Sequence, residues 1–216
     1  AFVERANLLF EAELAIRTIL IEKNDLLINL DGKNDLYTNS TVGADILTQN
    51  TNIISGKVGF SSFDIGHVFS ICHDVGGIAG GTACTQFKGA GVTCHNSSGI
   101  SNGIVLVFNH EVGHQLTASH TFNHCPGQEG QLSATGYEPG SGSTIMAYPG
   151  ACSTSNLGAP RESYYHVSSL DQIISYTNFE SSEAYLCAAK TDSNNYVPVI
   201  SLNYPKNFSI PQYTPC

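Results

Sequence analysis

One stretch limits the fold more than any other: FNHEVGHQLTASHTF, Phe108 to Phe122. It holds His110, His114 and His120, three of only eight histidines in 216 residues, with Glu111 beside the first. His110 and His114 stand at i and i+4. On a helix both imidazoles project from one face, about one turn apart. That placement matches two corners of a tetrahedral Zn²⁺ site with bonds of roughly 2.0–2.1 Å. His120 must reach the same point from another direction, so the helix has to stop soon after His114. Glycine usually makes such a turn, but the position here is Thr117. A threonine at positive φ is strained, and the turn is expected to take another shape.

Three neutral histidines leave a fourth coordination position for water, the mark of a catalytic zinc rather than a closed structural one. Glu111 lies off the ligand direction but next to that position. Its carboxylate can take a proton from a water whose pKa zinc has lowered to about 7, and can later protonate a leaving amine. A solvated helix with coincidental histidines accounts for neither the third histidine nor the glutamate.

Composition narrows the partners. Nine Lys and Arg are scattered through a chain of net charge −9, with no basic stripe, which argues against nucleic acid. No apolar run approaches a membrane span, and no signal-peptide pattern opens the chain, so an exported protein would appear here in mature form. The seven cysteines form no C-x-x-C pair, which argues against a cysteine-built zinc knuckle. Their spread through glycine-rich segments favours disulfides and an oxidising compartment over buried free thiols. The odd count leaves Cys216 as a candidate to pair outside the chain.

Along the chain, residues 1 to about 11 read as the end of a helix, from Phe2, Ala6, Leu9 and Phe10. LAIRTILI, Leu14 to Ile21, reads as a strand, and NLDGKND as a polar turn. Residues 43 to 59 read as a helix closed by glycine. IGHVFSI, Ile65 to Ile71, is a second predicted strand. GGIAGGTACT is extended and glycine-rich, suited to a close approach of another backbone. A helix follows from residue 102 to 116, with Ser101 or Asn102 as N-cap. SSLDQIISY is another, opened by a capping box of Ser168 and Asp171. Residues 189–216 are Pro- and Asn-rich and read as a linker, a packed tail or the start of a β-type module. His67, His73, His95, His124 and His166 read as surface or hydrogen-bonded residues rather than a second metal site. The N-x-[ST] matches at Asn39, Asn96 and Asn207 are of the number chance gives in so Asn- and Ser-rich a chain.

Downstream lies GSGSTIMAYPG, with the only methionine of the chain, Met146. Taken with H-E-x-x-H-x-x-x-x-x-H, this segment resembles the metzincin zinc endopeptidases. HTFN, EPGSGSTIMAYPG and YYHVSSLDQI narrow the resemblance to their bacterial secreted, reprolysin-like (adamalysin-type) branch. It covers most of residues 1–188. It implies an α+β, zincin-like domain: a mixed twisted sheet, an active-site helix and a small irregular C-terminal subdomain. It further implies one catalytic Zn²⁺ held by His110, His114 and His120, Glu111 as general base, and Met146 in a turn beneath the ion. Tyr148 then stands where a fifth ligand or a donor to the tetrahedral intermediate can sit. A structural Ca²⁺ is left open, with no residues assigned to it.

An extended peptide or protein substrate would lie along GGIAGGTACT, and residues 149 to 160 would line the pocket for the side chain after the cut bond. Thr121 departs from relatives that carry a carboxylate there. The family also places a strand before the first helix, inside the sheet. This sequence opens within that helix, so a bound N-terminal fragment or the tail after Tyr196 is expected to supply the strand. Two other classes stay open: a catalytically silent binding domain, and a zinc hydrolase of a non-peptide substrate.

Overall fold

A computed structural model describes residues 2–38, 40–95, 102–128, 130–157 and 160–191. Five α-helices and one small sheet are formed by these residues. The helices are α1 (Phe2–Leu14), α2 (Gly43–Val58), α3 (Asn102–Gln115), α4 (Val167–Asn178) and α5 (Glu183–Cys187). The strands are β1 (Val68–Ser70), β2 (Gly77–Ala79) and β3 (Gly91–Cys94), in the order β1-β3-β2. β3 runs parallel to β1 and antiparallel to β2, with Val92 opposite both Val68 and Ile78.

β3 is buried along its whole length because helices cover both its faces. Val92 and Cys94 pack with Ile46 of α2. Gly91 lies on the other face, against Gln115 of α3: a Cβ there would come within 2.4 Å of the Gln115 Oε1. Beyond α3, the main core joins Ala6, Phe10 and Leu14 of α1 to Val105, Phe108, Val112 and Leu116 of α3 and Ile173 of α4. α3 is therefore enclosed between the sheet and two helices, and its polar residues must find internal partners. Gln115 donates to the Gly66 and Lys88 carbonyls and contacts the His67 Nδ1 at 3.0 Å. Burial lowers the His67 pKa to about 4, opposed by the contact with Gln115. His67 is thus a neutral, hydrogen-bonded residue just before β1.

The strand expected over residues 14–21 does not form. Leu14 closes α1, three residues beyond the predicted helix, and residues 15–21 lie outside the sheet. The side chain of Asn7 takes the place of a neighbouring strand: its Oδ1 accepts from the Thr18 N–H and its Nδ2 donates to the Thr18 carbonyl, both at 2.9 Å. Among the described residues, β1 pairs only with β3, so its outer edge has no strand beside it. The capping box at Ser168 is also corrected. His166 is the N-cap of α4, and its ring accepts from the Ser168 N–H. Ser101 and the side chain of Asn102 lie outside the described residues, and with them the expected cap of α3.

Three disulfides are present among the described residues: Cys72–Cys94, Cys84–Cys187 and Cys125–Cys152. The second closes a separation of 103 residues and ties α5 to the segment after β2. Cys216, Asn39, Asn96, Asn207 and the tail from residue 192 lie outside the described residues. No helix among those described is long and apolar enough to cross a membrane.

Candidate metal centre

α3 ends where the metal motif requires. Thr117 adopts φ +77°, so the expectation of another turn shape fails: this is the left-handed turn glycine would make. The strain is held by a closing hydrogen bond from the Ala118 N–H to the Gly113 carbonyl (2.9 Å) and by the Gln172 side chain of α4, which accepts from the Ser119 N–H (2.9 Å). A left-handed conformation costs an L-residue about 1–2 kcal/mol, and glycine returns part of that as chain entropy. Thr117→Gly is therefore expected to raise Tm by a few degrees, by up to about 1 kcal/mol. A calorimetric Tm lowered by that amount would show that the long Thr117 hydroxyl contact to the Gln172 carbonyl (3.4 Å) outweighs the strain.

The turn brings His120 back to His110 and His114. The three Nε2 atoms lie 3.0–3.2 Å from one another. Each Nδ1 faces a backbone carbonyl: His110 that of Ile145 (2.6 Å), His114 that of Ala118 (2.7 Å), His120 that of Gly130 (2.9 Å). Donation to those carbonyls puts the ring proton on Nδ1, so three Nε2 lone pairs converge on one point. Such an arrangement is repulsive without a cation. A tetrahedral ion with bonds of roughly 2.0–2.1 Å would hold its ligands about 3.3–3.4 Å apart, close to what is seen. The donor set, all neutral imidazole, fits zinc. Burial lowers the pKa of all three rings, aided at His110 and His114 by charge on the neighbouring histidines, so they stay neutral and available to a metal.

Glu111 is 5% exposed, one residue along α3 and turned toward β2. Burial pushes its carboxyl up to about 8, while the charge of Arg161 pulls the other way. The glycine-rich edge matters here: a Cβ on Gly77 would lie 2.5 Å from the Glu111 Oε1. Gly77→Ala is expected to displace that carboxylate and to cut any hydrolysis that depends on it on the order of 10²-fold, with metal content unchanged. An alanine variant of parent activity would show that the carboxylate has room to move.

Met146 is fully buried beneath α3, and a Cβ on Gly113 would strike its sulfur at 2.6 Å. Two residues on, the Tyr148 ring lies 4.5 Å from the His120 ring, 5.7 Å from that of His110, and stacks on Phe122 at 4.6 Å. Tyr148 thus packs on the histidines.

Two residues escaped the sequence reading. Glu138, 7% exposed, accepts hydrogen bonds from the Thr121 and Thr144 hydroxyls and the Ser143 and Thr144 N–H groups. Burial pushes its pKa up, but those four bonds outweigh it and the net shift is downward. Thr121 thus donates to a carboxylate that stands at the bridge pairing Phe122 with Glu138. It joins the His120 loop to the turn carrying Met146. Arg161 is the second: its guanidinium donates to the Ala147 carbonyl at 3.3 Å.

A mixed sheet over a helix bearing two histidines, a third folded back onto them and a methionine turn below define a zincin-like metallopeptidase domain of the metzincin kind. A family model described as metallo-peptidase family M12B, reprolysin-like, matches residues 1–177, and the chain belongs to that family. A search of curated proteins gives no significant match. Membership implies a peptidase, and the three-histidine cluster fits its zinc.

Proposed function

We propose that the chain is a secreted zinc endopeptidase of the bacterial branch, with residues 1–188 as its catalytic domain. The observation that carries this reading is the convergence of three Nδ1-anchored imidazoles beside a buried glutamate. An ion held by His110, His114 and His120 would acidify a water and polarise a peptide carbonyl. Glu111 would then take the water's proton on its carboxylate and hand it to the departing amine. Substrate lies along β2. That strand pairs only with β3 among the described residues, so its other edge is open to an extended backbone. Gly77 allows that backbone's path to run close to Glu111. Tyr148, whose ring packs on those of His110 and His120, is the candidate donor to negative charge developing on the substrate oxygen. Three disulfides support an oxidising, extracellular setting.

Purified protein assayed in parallel on a quenched peptide and a p-nitrophenyl ester separates the classes. Peptide cleavage between internal residues is expected. Ester turnover alone would make it a hydrolase of non-peptide substrates, and bound zinc with neither activity would make it a silent binding domain.

A further inference from the structure

Arg161 stands beside the metal centre with no direct ion pair among the described residues. It follows the segment expected to line a substrate pocket, and its chain is part-buried. Among the described residues, no carboxylate oxygen lies within 4 Å of its guanidinium; the ion pairs there are those of Arg17 with Glu4 and Glu11. Among the described residues, its one side-chain hydrogen bond runs to the carbonyl of Ala147, the residue between Met146 and Tyr148. That bond uses one of five N–H donors. The guanidinium is thereby fixed beside the turn whose next residue packs its ring on His110 and His120. A part-buried arginine with spare donors in a planar fork matches one ligand chemistry above others, a carboxylate held by two parallel bonds.

We propose that Arg161 is a specificity-determining residue that receives a substrate carboxylate next to the scissile bond. Two sources share that chemistry: an Asp or Glu side chain, and the terminal carboxylate of the peptide. Charge-assisted bonds in a part-buried site discriminate strongly, because a neutral isostere leaves the guanidinium donors unpaired. The effect on kcat/KM is expected to be roughly tenfold to a hundredfold.

This inference rests on the peptidase reading, and the test keeps the two apart. Matched quenched peptides would carry Glu or Gln on either side of a single cleavable bond, each with a free or an amidated C-terminus. The parent enzyme should prefer Glu over Gln at one of the two positions by at least tenfold in kcat/KM. A preference that follows the free terminus instead assigns the terminal carboxylate as the ligand. Arg161→Met should bring the ratio close to one, and Arg161→Lys should keep part of it. Binding of the same peptides to the Glu111→Ala protein, followed by calorimetry, should show the same Glu-over-Gln ordering without turnover. Cleavage of all peptides at equal rates by the parent enzyme, together with equal binding, would overturn the assignment while leaving the peptidase reading intact. Peptides bound with the Glu preference but not cut would overturn the peptidase reading and leave Arg161 as a carboxylate-binding residue. Should Arg161→Met fail to fold, the ratios of the parent enzyme and of Arg161→Lys still decide the matter.

Discussion

Glu111→Ala is expected to keep its zinc and to lose roughly 10²–10⁴-fold in kcat on peptide. Zinc is retained because the three imidazoles are oriented by the carbonyls of Ile145, Ala118 and Gly130, and none leans on Glu111. Activity falls because, among the described residues, Glu111 is the carboxylate packed against Gly77 at the β2 edge, whereas Glu138 is engaged by four donors at the Met146 turn. Stability should not fall with activity. Burial already opposes ionisation of Glu111, so its removal relieves a cost, as at many functional sites. Metal content by atomic emission, kcat on a quenched peptide and Tm make up the check. A variant that digests peptide near the parent rate removes Glu111 from the chemistry.

Glu138→Ala is expected to be the most damaging substitution for stability. It strands two hydroxyls and two backbone N–H groups in a buried place, and each unpaired group costs about 1–3 kcal/mol. Water entering the space left behind would recover some of this, so a loss of about 3–6 kcal/mol is expected. That is comparable with the whole stability of an ordinary domain. His120 should loosen at the same time, since Thr121 is its neighbour in the chain, so zinc affinity should fall along with Tm. The pH dependence follows from the downward shift. The folded carboxyl ionises at lower pH than the unfolded one, so its stabilisation is fully present above the ordinary glutamate pKa, about 4.3. It is lost as pH drops from there through the lower folded value. Denaturant midpoints between pH 7 and pH 3 should therefore decline for the parent and be flatter for the variant. Equal slopes for the two proteins would show that Glu138 is not the titrating group.

The metal centre was legible because its information is local. Spacings of four and six residues on and just after one helix fix which side chains can meet, and Glu111 is placed by adjacency alone. Glu138 was hidden for the opposite reason. Its partners lie 17 and 5–6 residues away, and only the bridge between Phe122 and Glu138 brings them together. The missing carboxylate at Thr121 therefore looked like a loss, when the threonine hydroxyl instead donates to a carboxylate opposite. Composition misled at residues 14–21. Ile and Thr describe what suits a strand, but a strand needs a neighbour, and at Thr18 the neighbour is the carboxamide of Asn7. β3 went unread because four residues framed by glycine and a disulfide cysteine give no period, although it is the most buried strand of the sheet. At Thr117 the steric strain was read correctly. What the sequence could not reveal is that Gly113 and Gln172 hold the turn in spite of it.

The most direct measurement is metal removal and return. Protein stripped with a chelator and dialysed free of it should lose cleavage of a quenched peptide, and titration with Zn²⁺ should restore it with an end point of one ion per chain. The His120→Ala protein should not recover under the same titration. Undiminished cleavage by the stripped protein, or recovery by His120→Ala equal to the parent, would contradict a zinc peptidase built on these three histidines.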